Sequence, residues 1–278
     1  MTHDLVLPRR VVAVDWSGRK DAAGQRRAIW LCEVDATGVV RLEAGRTRGE
    51  LVQHLIDEIR TNSSVCIGLD FAFSFPAWFV REVTNGQAEN LWSVVEREGE
   101  EWRRRCQPPF WGFAGTHATT DSTTRPLRRR TEYAMRPIDG SSPKSVFQVN
   151  GGGTVGTGSL RGMPLLRTLR EAGAAIWPFD DARLPLVVEI YPRIHTGELK
   201  KSKGDERAEY VKKLSWVLKP AIEAAAAGSD DALDALMSAC AMWEHRAHLA
   251  SLPVGDEVAR VEGEIWNPTP HSMTVLSQ

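Results

Sequence analysis

Residues 63–76, SSVCIGLDFAFSFP, place the carboxylate of Asp70 inside one of the most apolar runs of the chain. Burying an ionised side chain in such surroundings is costly unless a partner, a proton or a metal ion compensates its charge. The run VCIGL before Asp70 is typical of a buried β-strand, so this acid is expected to end a strand. The position of Asp70 therefore predicts compensating groups close to it.

Two other apolar runs end in an acid in the same way. RVVAVD at residues 10–15 ends in Asp15, and PLVVE at residues 185–189 ends in Glu189. In parallel α/β sheets the carboxyl ends of the strands face the ligand crevice, and neighbouring strands lie about 4.8 Å apart. Acids that end adjacent strands would repel each other, and a divalent cation is the usual remedy.

A third source of carboxylates is SDDALDAL at residues 229–236. Asp231 and Asp234 are three positions apart on a predicted helix, so their side chains share one face. Together with Asp15 and Asp70 they form a set of hard oxygen ligands, which favours Mg²⁺ or Mn²⁺. The sequence thus predicts a metal site of one or two ions that activates water for attack on a phosphoryl group.

Each of these motifs, taken alone, also fits a structural role. Asp15 could accept hydrogen bonds from the backbone amides of Ser17 and Gly18 in an Asx-turn. Ser229 and the two aspartates that follow it are natural helix N-caps, and Asp231 with Asp234 resembles a capping pair. Only the combination of all four acids, spread over the whole chain, favours a metal site.

The apolar pattern predicts an α/β order of elements. A three-stranded meander, a helix and a fourth strand come first. The segment at about 77–145 then shows little periodicity, and we interpret it as a helical and loop insertion. After it the regular pattern resumes. The predicted strands are 10–15, 27–34, 39–44, 65–70, 174–179 and 184–192, with a short tail strand at 262–266, and the predicted helices are 49–60, 88–105, 164–173, 206–226 and 230–250.

This order resembles the ribonuclease H-like fold. More closely, the chain resembles the family catalogued as domain of unknown function 429, described as predicted ribonuclease H-like nucleases. The matching stretches are VAVDWSG (12–18), IGLDFAFSFP (67–76), FQVNGGGTVGTGSLRGMP (147–164), WPFD (177–180), VVEIYPR (187–193) and SDDALDA (229–235).

The resemblance implies a single domain over residues 1–278 with a central five-stranded mixed sheet flanked by helices. Asp15 would lie on the central strand with Asp70 beside it. Asp231 and Asp234 would occupy the last helix, where resolvase-like members of the fold carry their final metal ligands. Glu189 would lie on the fifth strand, which is not the standard place for an acid in ribonuclease H itself, so we expect it to be a ligand or to orient water.

Five further residues are candidate substrate contacts. Ser17 follows the first acid, and the glycine-rich loop that contains Gly152 and Gly153 would let backbone amides approach a phosphate. Arg193 lies near the proposed site in sequence, and His195 has the position of the mobile histidine of ribonuclease H. The other interpretation of His195, which the sequence favours, is an exposed loop histidine without a role.

The same loop contains GGGTVG at residues 151–156, which satisfies the dinucleotide-binding pattern G-x-G-x-x-G. That fingerprint should open a helix directly. Here glycines continue to Gly162, and Pro164 has the features of a first helical position. We therefore expect no nicotinamide or flavin role.

Composition limits the classes of protein. The formal net charge is −1, so no global basic field indicates a long nucleic-acid footprint. No apolar stretch approaches the ~20 residues that cross a bilayer, and the N-terminus is too short and polar for a secretory signal, so we expect a cytoplasmic protein without a membrane partner. The four cysteines form no C-x-x-C pair and are expected to be reduced and mostly buried. Oligomeric state is not predictable from these features.

We therefore expect a Mg²⁺- or Mn²⁺-dependent nuclease or phosphodiesterase that acts on nucleic acid or a nucleotide. Its predicted catalytic residues are Asp15, Asp70, Glu189, Asp231 and Asp234. The first alternative is an ATP-dependent phosphotransferase of the actin and sugar-kinase type, whose phosphate loop also follows the first strand. The second is a non-catalytic binding protein that retained the acidic pocket.

Overall fold

A mixed sheet forms the centre of the protein in a computed structural model, which describes residues 6–113, 115–119, 121–140, 142–151 and 154–268. Its strands are β1 (Arg10–Asp15), β2 (Trp30–Asp35), β3 (Gly38–Glu43), β4 (Val65–Leu69), β5 (Ala175–Ile176) and β6 (Leu186–Glu189). Their order is β3-β2-β1-β4-β6-β5. The pairs β1–β2 and β2–β3 are antiparallel, whereas β1–β4, β4–β6 and β5–β6 are parallel.

Helices cover both faces of this sheet. They are α1 (Ala22–Ala28), α2 (Arg48–Thr61), α3 (Ala77–Val83), α4 (Leu91–Arg105), α5 (Arg130–Ala134), α6 (Gly156–Glu171), α7 (Arg193–Thr196), α8 (Gly204–Lys212), α9 (Pro220–Gly228), α10 (Asp230–Glu244), α11 (Arg246–Ala250) and α12 (Ala259–Glu262), with a 3₁₀ turn at Ala88–Asn90. Within the described ranges, no helix has the length and apolar character needed to cross a membrane.

The predicted α/β class with a mixed sheet between helices is confirmed, but the strand number of five is wrong. The sixth strand is β5, which pairs in parallel with the outer edge of β6 through Ala175 and Ile176. The apolar segment predicted at 174–179 extends no further as a strand, since Pro178 has no N–H to donate to a ladder. The side chain of Asp180 then accepts a hydrogen bond from the Ile176 amide at 2.9 Å, which closes the turn.

Side-chain alternation divides the core into two layers. Val12 and Val14 of β1 point into the apolar layer that contains α2, α4 and α6, whereas Val11 and Ala13 point into the layer that contains α10. The same alternation of side chains between the two faces of the sheet continues to the ends of the strands. Asp15 therefore lies on the α10 side of the sheet, and the side chain that ends β6 lies on the opposite side.

Helix α10 can approach β4 closely because of one glycine. A Cβ added to Gly68 would lie 2.6 Å from Met242 Sδ and 2.8 Å from Ile190 Cγ2, distances that real Cβ atoms do not reach. Gly68 pairs with Ala13 of β1 and Val188 of β6, so the approach occurs at the middle of the sheet. The close packing brings the first turn of α10 to the carboxyl ends of β1 and β4.

Two helix predictions were wrong at proline. A single helix was expected at 206–226, but Pro220 starts the separate helix α9, because a proline in a helix interior lacks the N–H and clashes with the preceding turn. The opposite error occurred at α6, where Pro164 was expected at the start but lies inside the helix. The helix begins eight residues earlier, at Gly156.

Glycines explain the early start of α6. A Cβ on Gly156 would lie 2.4 Å from the carbonyl oxygen of Val146, and one on Gly162 would lie 2.7 Å from the Phe71 ring. These glycines let the helix pack tightly against neighbouring segments of the chain. The glycine-rich sequence had predicted a loop here, and that prediction was wrong for residues 156–162. The helix thus opens at the last glycine of the G-x-G-x-x-G pattern, so Pro164 gives no evidence against a dinucleotide fingerprint; among the described residues, however, the element directly before the helix is α5 and not the strand that such a fingerprint requires.

Three smaller differences concern short elements. The strand predicted at 27–34 begins only at Trp30, because α1 occupies the chain before it and is capped by Asp21, which accepts a hydrogen bond from Gly24 at 2.6 Å. The predicted helix 230–250 is divided into α10 and α11. At the tail, Ile265 makes only an isolated bridge with Glu189. All four cysteines are buried and free of disulfide bonds.

Candidate active site

Asp15 and Asp70 lie side by side at the carboxyl ends of the two central parallel strands. Val14 pairs with Leu69 in the register, and the Asp70 amide donates to the Val14 carbonyl at 3.1 Å, so the two acids follow paired positions. Their side chains lie within hydrogen-bonding reach of each other. Asp15 is only 8% exposed, which places it at the bottom of the site.

Both carboxyl groups bind protons more tightly than an ordinary aspartate. Burial raises the pKa of Asp70 to about 8, and the negative charge of Asp234 adds to this effect, whereas Lys201 opposes it. Burial also raises the pKa of Asp15 well above its usual range, followed by repulsion from Asp70, Asp234 and Asp231. Without a cation, this pair therefore retains a proton near neutral pH.

The first turns of α10 supply the other two predicted acids. Asp231 and Asp234 project toward Asp15, whose pKa both of them raise. Burial raises the pKa of Asp231 to about 6 and also raises that of Asp234. One oxygen of Asp234, Oδ1, is buried without a hydrogen-bond partner among the described residues. An unpartnered buried carboxylate oxygen is costly, and a bound cation would satisfy it.

Lys201 is a functional candidate that the sequence reasoning did not single out. Its Nζ donates a hydrogen bond to Oδ2 of Asp234, and its positive charge lowers the pKa of Asp15, Asp70 and Asp231. The lysine lies in the loop between α7 and α8, where a run of lysines gives no sign of which one reaches the acids. A single ammonium thus partly neutralises four carboxylates.

Glu189 occupies a different environment from the four aspartates. Its carboxylate accepts hydrogen bonds from Arg129, by Nη1 at 2.8 Å and Nη2 at 2.5 Å, and from the Phe73 amide at 2.9 Å. Arg129 is 1% exposed and also pairs with Glu132 at 2.8 Å. Because Arg129 binds both carboxylate oxygens of Glu189, the pair holds the wall of the first cavity in place. Its predicted part in catalysis stays a prediction.

Arg129 lies in an arginine-rich part of the sequence, and its buried ion pairs distinguish it from the arginines around it. Other arginines between residues 103 and 130 meet carboxylates at the surface: Arg103 with Glu100, Arg104 and Arg105 with Glu101, Arg125 with Glu82, and Arg130 with Asp256. Solvated ion pairs of this kind contribute little to stability or binding. The interpretation of these arginines as paired surface residues is the one that the contacts support.

Two cavities open onto the acidic cluster. The first has a volume of 640 Å³ and is lined by Asp70, Trp16, Phe113, the N-terminal turn of α6 and the Arg129–Glu189 pair. The second has a volume of 480 Å³ and is lined by Asp70, Asp139, Asp230 and Asp234 together with Arg193, Lys200 and Lys201. Asp70 and Tyr191 border both cavities and Asp234 borders the second, whereas Asp15 and Asp231 lie behind them and line neither.

The candidate substrate contacts fall in different places. Ser17 lines the first cavity, and its Oγ accepts a hydrogen bond from the Arg19 amide at 3.2 Å. Arg193 lines the second cavity and donates to the Leu199 carbonyl at 3.0 Å, while its Nε is buried without a partner among the described residues. Gly152 and Gly153 lie outside the described residues.

His195 lines neither cavity. Its ring packs against Trp266 with the ring centroids 5.8 Å apart, and Trp266 in turn donates to His248 at 3.1 Å. Burial, with a smaller contribution from His245, lowers the pKa of His195 to about 4. The Nε2 atom of the ring is buried without a hydrogen-bond partner among the described residues, and the predicted substrate contact of His195 stays a prediction.

A separate group of residues could hold a metal ion. The ligand atoms of Glu33, His54 and Glu58 lie within 4.8 Å of one another, which no three of the predicted aspartate ligands achieve in the described part of the chain. Arginines already compensate this group, since Arg10 lies 3.3 Å from Glu58 and Arg41 lies 3.7 Å from Glu33. Compared with this group, the cluster of four aspartates has less compensation by cationic side chains, and it contains the buried, unpartnered Oδ1 of Asp234. Its carboxylates are further apart than the ligand atoms of Glu33, His54 and Glu58.

The comparisons with known proteins identify a family but no function. The family described as "Protein of unknown function (DUF429)" matches residues 10–258. No curated protein and no solved structure matches this chain. The matched range includes all four aspartates, Lys201 and the residues that line the two cavities, except Ile265 of the first cavity.

Proposed function

The chain belongs to the DUF429 family, and we propose that it is a Mg²⁺- or Mn²⁺-dependent phosphodiesterase of ribonuclease H-like fold that hydrolyses nucleic acid or a nucleotide. The observation that carries the proposal is the cluster of four aspartates, of which Asp70 borders both cavities and Asp234 the second, with raised pKa values and one buried carboxylate oxygen that lacks a partner among the described residues. Hard oxygen donors without cysteine or histidine suit these two ions. The sheet order supports the proposed fold, because three antiparallel strands are followed by parallel strands that end in acids.

The four aspartates would hold the ion, which supplies an activated water and stabilises charge on the phosphoryl oxygens. Asp15 and Asp70 would release their shared proton on binding, because ligating carboxylates must be ionised. The rigid strand ends would keep these two carboxylates in position, while α10 brings Asp231 and Asp234 from the side. The protein would thereby supply the carboxylate ligands, and water and phosphate would take the remaining positions.

Lys201 and Arg193 would act on the phosphate. The Lys201 ammonium contacts Asp234, and displacement by a divalent ion would release its N–H groups toward the second cavity. Arg193 also lines the second cavity. Both side chains would donate hydrogen bonds to non-bridging oxygens of the scissile or adjacent phosphate, where ionised donors are strongest.

Calorimetric titration of Mn²⁺ into the wild-type protein and an Asp70→Asn variant tests the metal site. We expect wild type to bind Mn²⁺ at sub-millimolar concentration and the variant to bind at least tenfold more weakly. Asp57→Asn is the matched control, since Asp57 lies on α2 and its carboxylate accepts only from Gln53 at 3.0 Å. Circular dichroism establishes that all three proteins are folded.

Hydrolysis assays then test the reaction. Labelled oligonucleotides should be cleaved with Mn²⁺ and without ATP, and chelation should abolish cleavage. Cleavage or phosphate transfer that requires ATP would contradict the phosphodiesterase assignment and favour a phosphotransferase. Equal Mn²⁺ binding by wild type and Asp70→Asn would overturn the site itself.

A further inference from the structure

The two cavities differ in chemistry although they share Asp70 and Tyr191. The first, which we call the aromatic cavity, is bordered by Trp16, Phe71, Phe113 and Tyr191, and its lining also includes the cations Arg19, Arg103, Arg129 and Lys144. The second, which we call the cationic cavity, is bordered by Arg193, Lys200 and Lys201 and by the four acids Asp70, Asp139, Asp230 and Asp234, with Tyr191 as its one aromatic lining residue among the described residues. A ligand that occupies both would place an apolar, planar part on one side of Asp70 and an anionic part on the other.

The aromatic cavity has the size and rigidity of a small-molecule site. Its volume of 640 Å³ falls in the range of about 300–1,000 Å³ typical of such sites. Trp16 is held in place because its indole Nε1 donates to the Gly158 carbonyl at 3.0 Å and its ring packs on Phe71 with the centroids 5.1 Å apart. Preordered aromatic side chains provide stacking surfaces for bases without selecting a sequence.

The cationic cavity is suited to phosphate. Lys200 is exposed, whereas Arg193 is held at its Nη1 by the Leu199 carbonyl at 3.0 Å and lies 3.6 Å from Asp139. The Nε of Arg193 remains buried and without a partner among the described residues. A phosphate there would contact Lys200 and Arg193, while a cation held by the aspartates would offset the negative charge of the acids that line the same cavity.

The depth of the acidic cluster limits the form of the substrate. Asp15 is 8% exposed, and Asp70 is reached through the two cavities that it borders. A base in a duplex is stacked and paired, so it cannot enter a cavity of this size without leaving the helix. An unpaired strand needs no such extrusion.

We infer that the substrate is an unpaired nucleic-acid strand that crosses Asp70, with one base stacked in the aromatic cavity and the phosphate of the next nucleotide in the cationic cavity. This inference rests on the proposed phosphodiesterase function. It assigns Tyr191 as a substrate-binding residue because its ring borders both cavities at the crossing point.

Fluorescence anisotropy tests the inference with three probes: fluorescein-labelled dT12, labelled rU12 and a labelled 12-base-pair DNA duplex. Ca²⁺ replaces Mg²⁺ so that the strands are not cleaved. We expect at least one single strand to bind tenfold or more tightly than the duplex, and the two single-stranded probes distinguish DNA from RNA. Equal or tighter binding of the duplex would overturn the inference.

Variants at Tyr191 test the position of the strand. Tyr191→Ala should weaken single-strand binding about tenfold, since stacking on one aromatic ring is worth about 1–3 kcal/mol per base, and Tyr191→Phe should retain it. Tyr133→Ala is the matched control, because Tyr133 is 49% exposed and borders neither cavity. Unchanged binding by Tyr191→Ala would overturn the proposed path.

A Mn²⁺ titration without oligonucleotide separates this inference from the function on which it rests. A protein that binds Mn²⁺ through Asp70 but does not prefer single strands contradicts only the substrate form. A protein that binds no Mn²⁺ contradicts the proposed function, whatever its preference among strands.

Discussion

Arg129 binds Glu189 through two parallel hydrogen bonds, at 2.8 and 2.5 Å, and both side chains are almost completely buried. The guanidinium comes from the segment just before α5, and the carboxylate ends β6. This pair therefore attaches the region between β4 and β5 to the end of the sheet where Asp15 and Asp70 lie. It also explains why the third acid that ends a strand differs from Asp15 and Asp70, since its charge is already compensated.

Removing the guanidinium should destabilise the protein severely. Arg129→Met leaves Glu189 and Glu132 as buried carboxylates without a cation, and breaking such a pair typically costs about 3–5 kcal/mol. Urea unfolding followed by circular dichroism measures the loss. A decrease below about 1 kcal/mol would show that water compensates the carboxylates and that the pair does not anchor the wall.

Glu189→Gln should separate an anchoring role from metal ligation. Because Arg129 engages both oxygens, we expect the Mn²⁺ affinity of this variant to stay within about threefold of wild type, a difference of about 0.7 kcal/mol. Calorimetry of folded protein gives the affinity. A tenfold or greater loss, comparable to that of Asp70→Asn, would identify Glu189 as a ligand.

Lys201 should compete with the metal. Its ammonium contacts Asp234 and lowers the pKa of the surrounding acids, so Lys201→Met should tighten Mn²⁺ binding about tenfold, or about 1.4 kcal/mol, while reducing the rate of hydrolysis. Lys203→Met is the control, since Lys203 pairs with Glu206 at 2.8 Å on the surface. Weaker Mn²⁺ binding by Lys201→Met would contradict competition.

Gly68→Ala should disturb the site through packing alone. The new methyl group would meet Met242 and Ile190 and push α10 away from β4, at a cost of about 1–3 kcal/mol. We expect lower stability in urea together with weaker Mn²⁺ binding. Gly49→Ala, where a Cβ meets nothing within 4 Å, should leave both unchanged or raise stability slightly.

Stability without metal should fall as pH rises from about 5 to 8. The folded protein holds a proton on Asp70, whose pKa is about 8 in the fold against an ordinary value of 3.8. Between these values the folded state binds more protons than the unfolded state, so the free energy of unfolding decreases with pH and the contribution is lost above about 8. Thermal melts in EDTA should show this decline.

Two additions test the source of that pH dependence. Asp70→Asn carries no titrating carboxyl at this position and should give a flatter profile between pH 5 and 8. Mn²⁺ should raise the melting temperature most at pH 8, where less proton release accompanies binding. A wild-type profile that rises over this range would contradict the raised pKa of Asp70.

His195 should contribute a pH dependence of opposite sign at lower pH. Its pKa is lowered to about 4 in the fold from 6.5, so the unfolded state binds the extra proton first and stability falls as pH drops below about 6.5. His195→Phe should remove this component in thermal melts between pH 4 and 6.5. If the melting temperature of His195→Phe changes with pH as steeply as that of wild type between pH 4 and 6.5, other groups determine the loss of stability at low pH.

The sequence by itself determined the local elements that carry the site. Aliphatic runs that end in Asp15 and Asp70 need only a period-two pattern and the geometry of parallel strands to predict adjacent carboxylates. The same holds for Asp231 and Asp234, whose spacing places them on one helix face. The α/β class followed from the order of these segments.

Only the tertiary structure decided which side of the sheet each acid occupies and what compensates it. Side-chain parity places Glu189 opposite Asp15, and Arg129, 60 residues away in sequence, reaches Glu189 only in the folded chain. Lys201 likewise meets Asp234 across 33 residues. Long-range charge pairing leaves no periodic signal in the sequence, because any of several nearby arginines or lysines could have made the contact.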